Sequence, residues 1–376
     1  MTVDLSRVES PNRNTDFLHL PYRLYKGHAG WVPPLISEEQ ERLDTENYPF
    51  FSHSDAAFFL ARRDGQPVGR IAAIENTRHN DYHDEHIGFF GFLDAVDDRT
   101  VFKQLIAAAE NWISDRNLKR MRGPASYSSN EMWGAMIDGY DRPCSILMPY
   151  NPPYLPDHLE SLGFEPTEQL LALETDTDIV NLDFLQRISD RVEQNSNLRV
   201  RPIDLNRFEE EAQRLREIYT ECWSDNWGFV PPTDEEFEHT CAKLKPLVEN
   251  NPEFVLFIGN EDEEVGFIAG VPDVNMALNQ LNGQFLSWRL IPFLWKYYVT
   301  GIDRVRVLLM GVTDAYRGNG LELVLIKHFI DHSTSYGYSI AELSWILESN
   351  ADMINILQRL NSREVSRYNV YDRELE

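Results

Sequence analysis

The chain has 376 residues, 42% hydrophobic and 12% aromatic, which is enough apolar material for two ordinary cores and too much for bulk disorder. Its formal charge of −26 argues against a nucleic-acid partner, because phosphate recognition needs a clustered basic surface. The same charge fits an acidic surface that keeps the protein dissolved, or long-range attraction of a cationic, amine-bearing acceptor.

The first residues, Met1 to Ser10, contain no apolar run of signal-peptide type, so no leader is expected. An early helical region carries Trp31-Val32-Pro33-Pro34, in a loop leading toward a sheet. A hairpin with polar turn residues at Arg62–Gln66 comes next. His79 to His86 is rich in His and Asp, but its spacing matches no standard zinc motif and its polarity fits a surface loop. Ile87–Leu93 reads as a central strand. After it come a turn with three carboxylates (Asp94, Asp97, Asp98) and a long helix over roughly Arg99–Arg116. The stretch Arg122–Tyr154, rich in Gly, Pro, Ser, Asn and aromatics, is expected to be an ordered binding loop.

The second half repeats the first. Phe229-Val230-Pro231-Pro232 stands 198 positions after Trp31-Val32-Pro33-Pro34. Val265-Gly266 stands 197 after Val68-Gly69, and Leu357–Ser362 stands 198 after Leu159–Phe164. Three blocks at nearly constant offset mark an internal duplication. It splits near Asp176–Asp183 into a first domain of residues 1–178 and a second of 179–376. The second copy has its hairpin turn at Gly259–Glu264 and its own insertion at about Asn275–Asp303. The aromatics of that insertion suit either packing between the domains or an apolar groove or interfacial contact for a long acyl chain or lipid. The window Phe285–Ile302 is broken by Arg289, Pro292 and Lys296, which makes it a poor membrane span. Cys144, Cys222 and Cys241 are scattered, as expected of reduced cytoplasmic thiols rather than disulfides or a zinc site.

The C-terminal stretch organises the chain. Arg304–Val312 is a β-branched, apolar strand; Thr313–Gly320 is a turn with two glycines; Leu321–Tyr336 is a helix. Ser339–Leu347 is a second strand, and Ala351–Leu360 a short helix. A glycine turn that opens a helix straight after a strand aims backbone N–H groups outward, and the helix N-terminus adds partial positive charge. That is an anion site.

Val312-x-x-x-Tyr316-Arg317-Gly318-Asn319-Gly320 resembles the acyl-CoA pyrophosphate loop of the GNAT superfamily of N-acyltransferases, with Glu322 standing where that pattern has Gly or Ala. The resemblance implies an α/β (α+β) fold. It would comprise two tandem GNAT-like domains, each a mixed, mostly antiparallel sheet flanked by helices. It also implies acetyl-CoA or a longer acyl-CoA as co-substrate, and no metal. The Asp-rich turn of the first copy lacks the Arg-Gly-x-Gly, so the first domain is expected to be degenerate and the second to bind the acyl-CoA. The backbone N–H groups of Met310, Gly311 and Val312 would face the thioester carbonyl. Arg317, Gly318, Asn319, Gly320, Leu321 and Glu322 would surround the pyrophosphate, while Asn350 and Asn355 match positions that contact the pantetheine or diphosphate in relatives. Asn350 equally suits a helix N-cap.

Glu348, just past the second strand, is the candidate general base, its carboxylate expected in an apolar cleft near Trp345. Capping or solvating the following helix is the competing role. The tyrosine that protonates the leaving thiolate in many relatives is here Leu357, so either Tyr150 or Tyr316 substitutes or the thiolate leaves unaided.

Leu20-Pro21-Tyr22-Arg23-Leu24-Tyr25 with Trp31–Leu35, Gly88-Phe89-Phe90-Gly91-Phe92, and Met148–Pro153 together resemble a group of tandem bacterial GNAT-like proteins that includes the bacterial ceramide synthases. The resemblance implies a cytoplasmic N-acyltransferase acting on a primary amine, acetyl transfer being the superfamily's default. Long-chain transfer to a sphingoid base or other amino lipid is the alternative, and a non-catalytic acyl-CoA sensor a third reading. The partner is a small-molecule or lipid amine, without nucleic acid or transmembrane segment; peripheral membrane contact and oligomeric state stay open.

Overall fold

A computed structural model describes residues 2–285 and 288–375. The first half runs β1 (Val3–Val8), α1 (Thr15–Leu24), α2 (Ile36–Arg42), β2 (Asp55–Arg63), β3 (Gln66–Glu75), α3 (Thr77–His83), β4 (Ile87–Ala95), α4 (Arg99–Ser114), β5 (Arg120–Gly123), β6 (Ala135–Asp138), α5 (Tyr154–Ser161) and β7 (Glu165–Asp176). The second runs α6 (Leu182–Asn195), β8 (Arg199–Pro202), α7 (Phe208–Trp223), α8 (Asp234–Val248), β9 (Val255–Gly259), β10 (Glu264–Pro272), α9 (Asn275–Leu278), α10 (Leu290–Trp295), β11 (Arg304–Val312), α11 (Leu321–Ser335), β12 (Ile340–Leu347), α12 (Ala351–Arg359) and β13 (Arg363–Glu374). The repeat seen in the sequence is visible in this order. Trp31–Pro34 links α1 to α2 ahead of the β2–β3 hairpin, and Phe229–Pro232 links α7 to α8 ahead of β9–β10.

The chain forms two compact units. Unit 1 takes Met1–Leu170, Val274–Gly301 and Ser366–Glu376, and unit 2 takes Leu171–Asp273 and Ile302–Val365. Each is a mixed, mostly antiparallel sheet flanked by helices.

In unit 1 the strand order is β1-β2-β3-β4-β5-β13, with β6 also paired to β13. All these neighbours are antiparallel except β4 and β5. Helix α4 presents Val101, Phe102, Leu105, Ile106, Ala109, Trp112 and Ile113 to the sheet, a 3.6-residue stripe that meets Ala61, Ile71, Phe90 and Met121 in one core. Asp98 starts the helix by accepting the Thr100 N–H at 2.8 Å. Under α1, Arg70 is buried and fully engaged. It donates to Asp94 at 2.7 Å and to the Phe17 carbonyl at 2.8 Å, while the Tyr25 hydroxyl donates to Asp94 at 2.5 Å.

In unit 2 the order is β7-β12-β11-β10-β9-β8, with β11 and β12 parallel and the β11–β10, β10–β9 and β9–β8 pairs antiparallel. Helix α11 buries Leu321, Val324, Leu325, Phe329 and Ile330. Helix α7 buries Leu215, Ile218, Tyr219 and Cys222, and Trp223 lies over Phe267 with ring centroids 6.2 Å apart. A capping box, Thr233 with Glu236, sets the start of α8.

Arg122–Tyr154 is mostly enclosed rather than an open loop. Tyr127, Trp133, Cys144 and Met148 are buried, and the Tyr127 hydroxyl donates to the Arg42 carbonyl at 2.8 Å. Aromatics in an irregular stretch here serve the core of unit 1. Leu286 and Ser287 of the second insertion lie outside the described residues. Among the described residues no helix is long and apolar enough to cross a membrane.

Candidate active site

Strands β11 and β12 pair in parallel only from Arg304↔Ile340 to Val307↔Leu343. Past that point β11 continues its ladder with β10 as far as Val312↔Gly266, while β12 runs on to Leu347 without a partner in β11. Every second backbone group of Leu308–Gly311 therefore faces a gap instead of a neighbour. Burial records the opening: Arg304–Val307 are buried and Leu308–Gly311 only half-buried. On its helix side β11 is fixed by Gly311, where a Cβ would lie 2.7 Å from the Trp223 ring and 2.9 Å from Cys222 Sγ.

At the mouth of the gap sits a buried polar group absent from the sequence-based expectations. Arg306 donates through Nε to Ser344 Oγ at 2.9 Å and through Nη2 to the Ser344 carbonyl at 3.0 Å; Ser344 Oγ donates to Glu342 at 3.1 Å. Ser344 is the first residue of β12 beyond the last ladder pair. Its carbonyl takes a guanidinium from β11 where the β11 ladder offers no amide. Beside it, Arg304 pairs with the wholly buried Asp273 at 2.5 Å. The signal in the sequence is one of spacing: Arg304 and Arg306, like Glu342 and Ser344, are two apart on otherwise apolar strands and so share a face.

Beyond β11, the Thr313 N–H donates to the Val265 carbonyl at 2.9 Å, and a short turn over Asp314–Tyr316 leads to Arg317. The Arg317 guanidinium reaches inward, to the Val312 carbonyl at 3.2 Å and the Cys222 carbonyl at 2.8 Å, and also pairs with Asp314 at 3.0 Å. Gly318 and Gly320 take φ of 75° and 85°, and Gly320 caps α11 without any side-chain acceptor. The first-turn N–H groups of α11 are thus left by the helix and by its cap residue alike. Glu322 is half-buried in that turn, where the positive end of the helix stabilises its charge.

At the same end of the sheet, Asn350 caps α12 by accepting the Met353 N–H at 3.1 Å. Asn355 is exposed one turn further along. Glu348 is exposed in the turn after β12, outside any apolar enclosure, because the strand ends at Leu347. Leu357 is 1% exposed and belongs to the core, so its position is one of packing. Unit 2 therefore brings together Met310, Gly311, Val312, Arg317–Glu322, Glu348, Asn350 and Asn355 at the C-terminal ends of β11 and β12. Tyr150 belongs to unit 1, hydrogen-bonded to His28 Nδ1 at 2.7 Å and pushed up to about 12 by burial. Tyr316 is half-exposed and donates to Glu263 at 3.1 Å.

The matching place in unit 1 is shut. There β4 and β5 pair from Ile87↔Arg120 to Phe89↔Arg122. The Ala125 N–H then donates to the Phe90 carbonyl at 2.8 Å, so the chain itself fills the opening. A Cβ at Gly91 would stand 1.6 Å from the Ala125 carbonyl oxygen. The helix beyond the turn is capped by its own Asp98 carboxylate, which also holds Arg63 at 2.6 Å. Asp94 and Asp97 are engaged as well, with Arg70 and with His158 at 2.8 Å.

His79 is buried, bonded to Glu85 at 2.9 Å, and held down to about 4 by burial, which disfavours its charged form. Among the described residues no three His, Cys, Asp or Glu side chains gather as metal ligands do.

A parallel pair that parts midway, a glycine turn and an uncapped helix N-terminus, set within a duplicated α/β frame, define the GNAT class of acyl-CoA-dependent acyltransferases. Backbone donors of this kind suit an anion such as a diphosphate, and the Glu322 carboxylate has the opposite effect. Comparison with known proteins agrees. The chain is 36% identical over 365 residues to protein YghO of Escherichia coli, covering 96% of this chain and 92% of that protein. It is 33% identical over 375 residues to a bacterial ceramide synthase of Caulobacter vibrioides, covering 98% and 96%. A solved tandem GNAT protein from the clavulanic acid biosynthesis pathway superposes along 100% of this chain and 99% of its own, with a TM-score of 0.57 at 11% identity, a likeness of fold. A scan against protein-family models returned no match. The chain has the tandem GNAT fold and belongs to the family that contains YghO and the bacterial ceramide synthase.

Proposed function

We infer that this chain moves a long acyl group from acyl-CoA to the primary amine of a sphingoid base or related amino lipid in the cytoplasm. The second copy, residues 179–376, binds the donor, and the first, residues 1–178, supports it. The observation that carries this reading is the 33% identity to a bacterial ceramide synthase along 98% of the chain, since a ceramide is the amide of a fatty acid with such a base. The reaction forms an amide C–N bond and breaks the thioester C–S bond. The amine loses a proton, and the thiolate gains one as free coenzyme A leaves.

Each part of the cleft has a place in that reaction. The unpaired N–H groups around Met310–Val312 polarise the thioester oxygen. Gly318, Asn319, Gly320, Leu321 and the Glu322 N–H receive the diphosphate. Arg317 holds that loop to β11 and α7 rather than standing free for the ligand, and Asn350 and Asn355 flank the pantetheine arm. Glu348, directly or through a water, takes the ammonium proton.

Acetyl transfer to a small amine is the second reading, supported by the fold shared with acetyltransferases. The test is release of free thiol from palmitoyl-CoA and from acetyl-CoA, each with sphinganine or a small amine, with the amide product weighed by mass spectrometry. N-palmitoyl product from sphinganine supports the lipid reading. Acetylated amine alone replaces it with the second. Binding of acyl-CoA by thermal shift without thiol release would make the protein a sensor, the outcome Glu322 and Leu357 favour.

A further inference from the structure

Between Asp273 and Asp303 the chain has no acidic residue and two basic ones, Arg289 and Lys296, although it carries 61 acidic and 35 basic residues in all. This segment is anchored in unit 1. Ala277 and Leu281 are fully buried, the Ile36 N–H donates to the Gly283 carbonyl at 3.0 Å, and a Cβ at Gly283 would stand 2.5 Å from the Tyr22 ring. Further along the segment come α10 and the helical turn Lys296–Thr300 that continues it.

The outer face of that helical run is apolar and uncovered. Trp288 is 75% exposed, Ile291 73%, Trp295 64% and Tyr298 75%, at spacings of three, four and three that align them on one side; Leu294 and Val299 widen the stripe. Arg289 and Lys296, seven apart, form a second stripe along its flank, both half-buried. Phe293 and Tyr297, both half-buried, stack with ring centroids 5.9 Å apart. Tryptophan and tyrosine beside an aliphatic stripe, with cations whose stems lie along the apolar edge, match the headgroup boundary of a bilayer.

The geometry points to a docking surface for a phospholipid bilayer, made by Trp288, Ile291, Trp295 and Tyr298 entering the headgroup layer and by Arg289 and Lys296 facing lipid phosphates. Charge complementarity selects this occupant. Elsewhere a chain of charge −26 is repelled by a phosphate surface, and screening within about 8 Å lets one acid-free patch make the contact alone. The inference goes beyond the proposed reaction and is tested without it, in the absence of acyl-CoA and amine.

The full chain is floated with phosphatidylethanolamine–phosphatidylglycerol vesicles, with brominated lipid to quench tryptophan in the headgroup layer. The wild type is expected to float and to be quenched. Trp288→Ser with Trp295→Ser should lower partition by more than about ten-fold, with the melting temperature unchanged because both side chains are exposed. Arg289→Gln with Lys296→Gln should lower it by roughly five-fold per charge. A wild type that does not float, or a tryptophan double variant that floats equally, overturns the proposal. So does a wild-type dimer by sedimentation that the double variant converts to monomer without any vesicle binding, which would assign the face to a second copy. Loss of thiol release with flotation intact counts against the proposed function and leaves this surface standing.

Discussion

Arg306 spans the point where β11 and β12 part, donating at 3.0 Å to the carbonyl of Ser344, the first β12 residue past its ladder with β11. A gap in a sheet leaves backbone groups without amides, and here one arginine supplies the replacement. Arg306→Met removes charge-assisted bonds to both Ser344 oxygens and is expected to cost about 3 kcal/mol. Urea unfolding measures it. Arg306→Lys keeps the charge without the planar fork and should recover only part of the loss. If the methionine variant unfolds at the wild-type midpoint, the bond pair does not hold the gap.

The glycine turn separates two effects. Gly318 and Gly320 both have positive φ, but a Cβ at Gly318 meets nothing within 4 Å, whereas at Gly320 it comes within 3.3 Å of Ile188 and 3.4 Å of Val192. Gly318→Ala should cost about 1–2 kcal/mol from backbone strain alone, and Gly320→Ala somewhat more. Both should weaken the thermal shift given by coenzyme A. Equal losses of stability would show that the neighbours of Gly320 yield freely.

Much of this fold was legible. The offset of nearly 198 residues marked the duplication, and the α1–α2 and α7–α8 connections carry the Val-Pro-Pro blocks as the repeat requires. The strand–glycine turn–helix of residues 304–336 was plain because periodicity, breaker residues and cap all agree there. Two things were less legible. The exchange of segments between units depends on long-range pairing: β13 begins in unit 2 and ends in unit 1, which a repeat alone does not encode. The Arg306–Ser344–Glu342 group was hidden because a strand pattern discounts polar residues in an apolar run. The enclosure of much of the Arg122–Tyr154 stretch was hidden for the converse reason: its Gly and Pro content describes backbone shape and says nothing of burial.

The degenerate turn of unit 1 predicts an asymmetry. Asp98 already occupies the N-terminus of α4 as its cap, so replacing it should expose the amides. Asp98→Ala is expected to cost about 1 kcal/mol and to create no response to coenzyme A, since Ala125 still fills the adjoining gap. A coenzyme A shift in a variant that also carries Arg317→Glu would show that unit 1 retains a site of its own.

His79 gives an acid limb to stability. Its folded value, about 4, lies below its ordinary one because burial penalises the imidazolium. The unfolded chain therefore binds the proton first as pH falls. The stabilisation is present above about 6.5 and is lost as pH drops toward 4. Glu85, held below its ordinary range despite its partial burial by the bond to His79 and by Arg122, acts in the same direction. The wild type should lose more melting temperature between pH 6.5 and 4.5 than His79→Gln does. Parallel curves would mean that other carboxylates govern the acid limb.

Burial pushes the Cys222 thiol up to about 12 and the Cys241 thiol up to about 11, and Cys144 is buried. The thiolate is the reactive form, so at pH 8 almost none is present at Cys222 or Cys241, and burial keeps the reagent from Cys144. Native protein should react slowly with Ellman's reagent, and all three cysteines should react once urea unfolds it. This matters for the reaction itself, since the same reagent reports release of coenzyme A. A fast native phase equal to one thiol would place a cysteine at an open, polar site and would require the assay to be read by mass instead.

Glu348 and Glu342 are the two carboxylates of β12 and its end, and their surroundings differ. Glu342 is buried and accepts from Ser344, committed to the sheet; Glu348 is exposed beside the Asn350 cap, where a substrate or a water can reach it. If Glu348 takes the ammonium proton, Glu348→Gln should lower kcat by about 10²-fold or more while leaving the thermal shift with acyl-CoA unchanged. The deficit should shrink as pH approaches the amine's own pKa, where solvent already supplies free amine. Glu342→Gln should instead reduce stability first. A Glu348→Gln variant with wild-type kcat at neutral pH would move the base elsewhere, and a pH-independent deficit would make Glu348 a positioning residue.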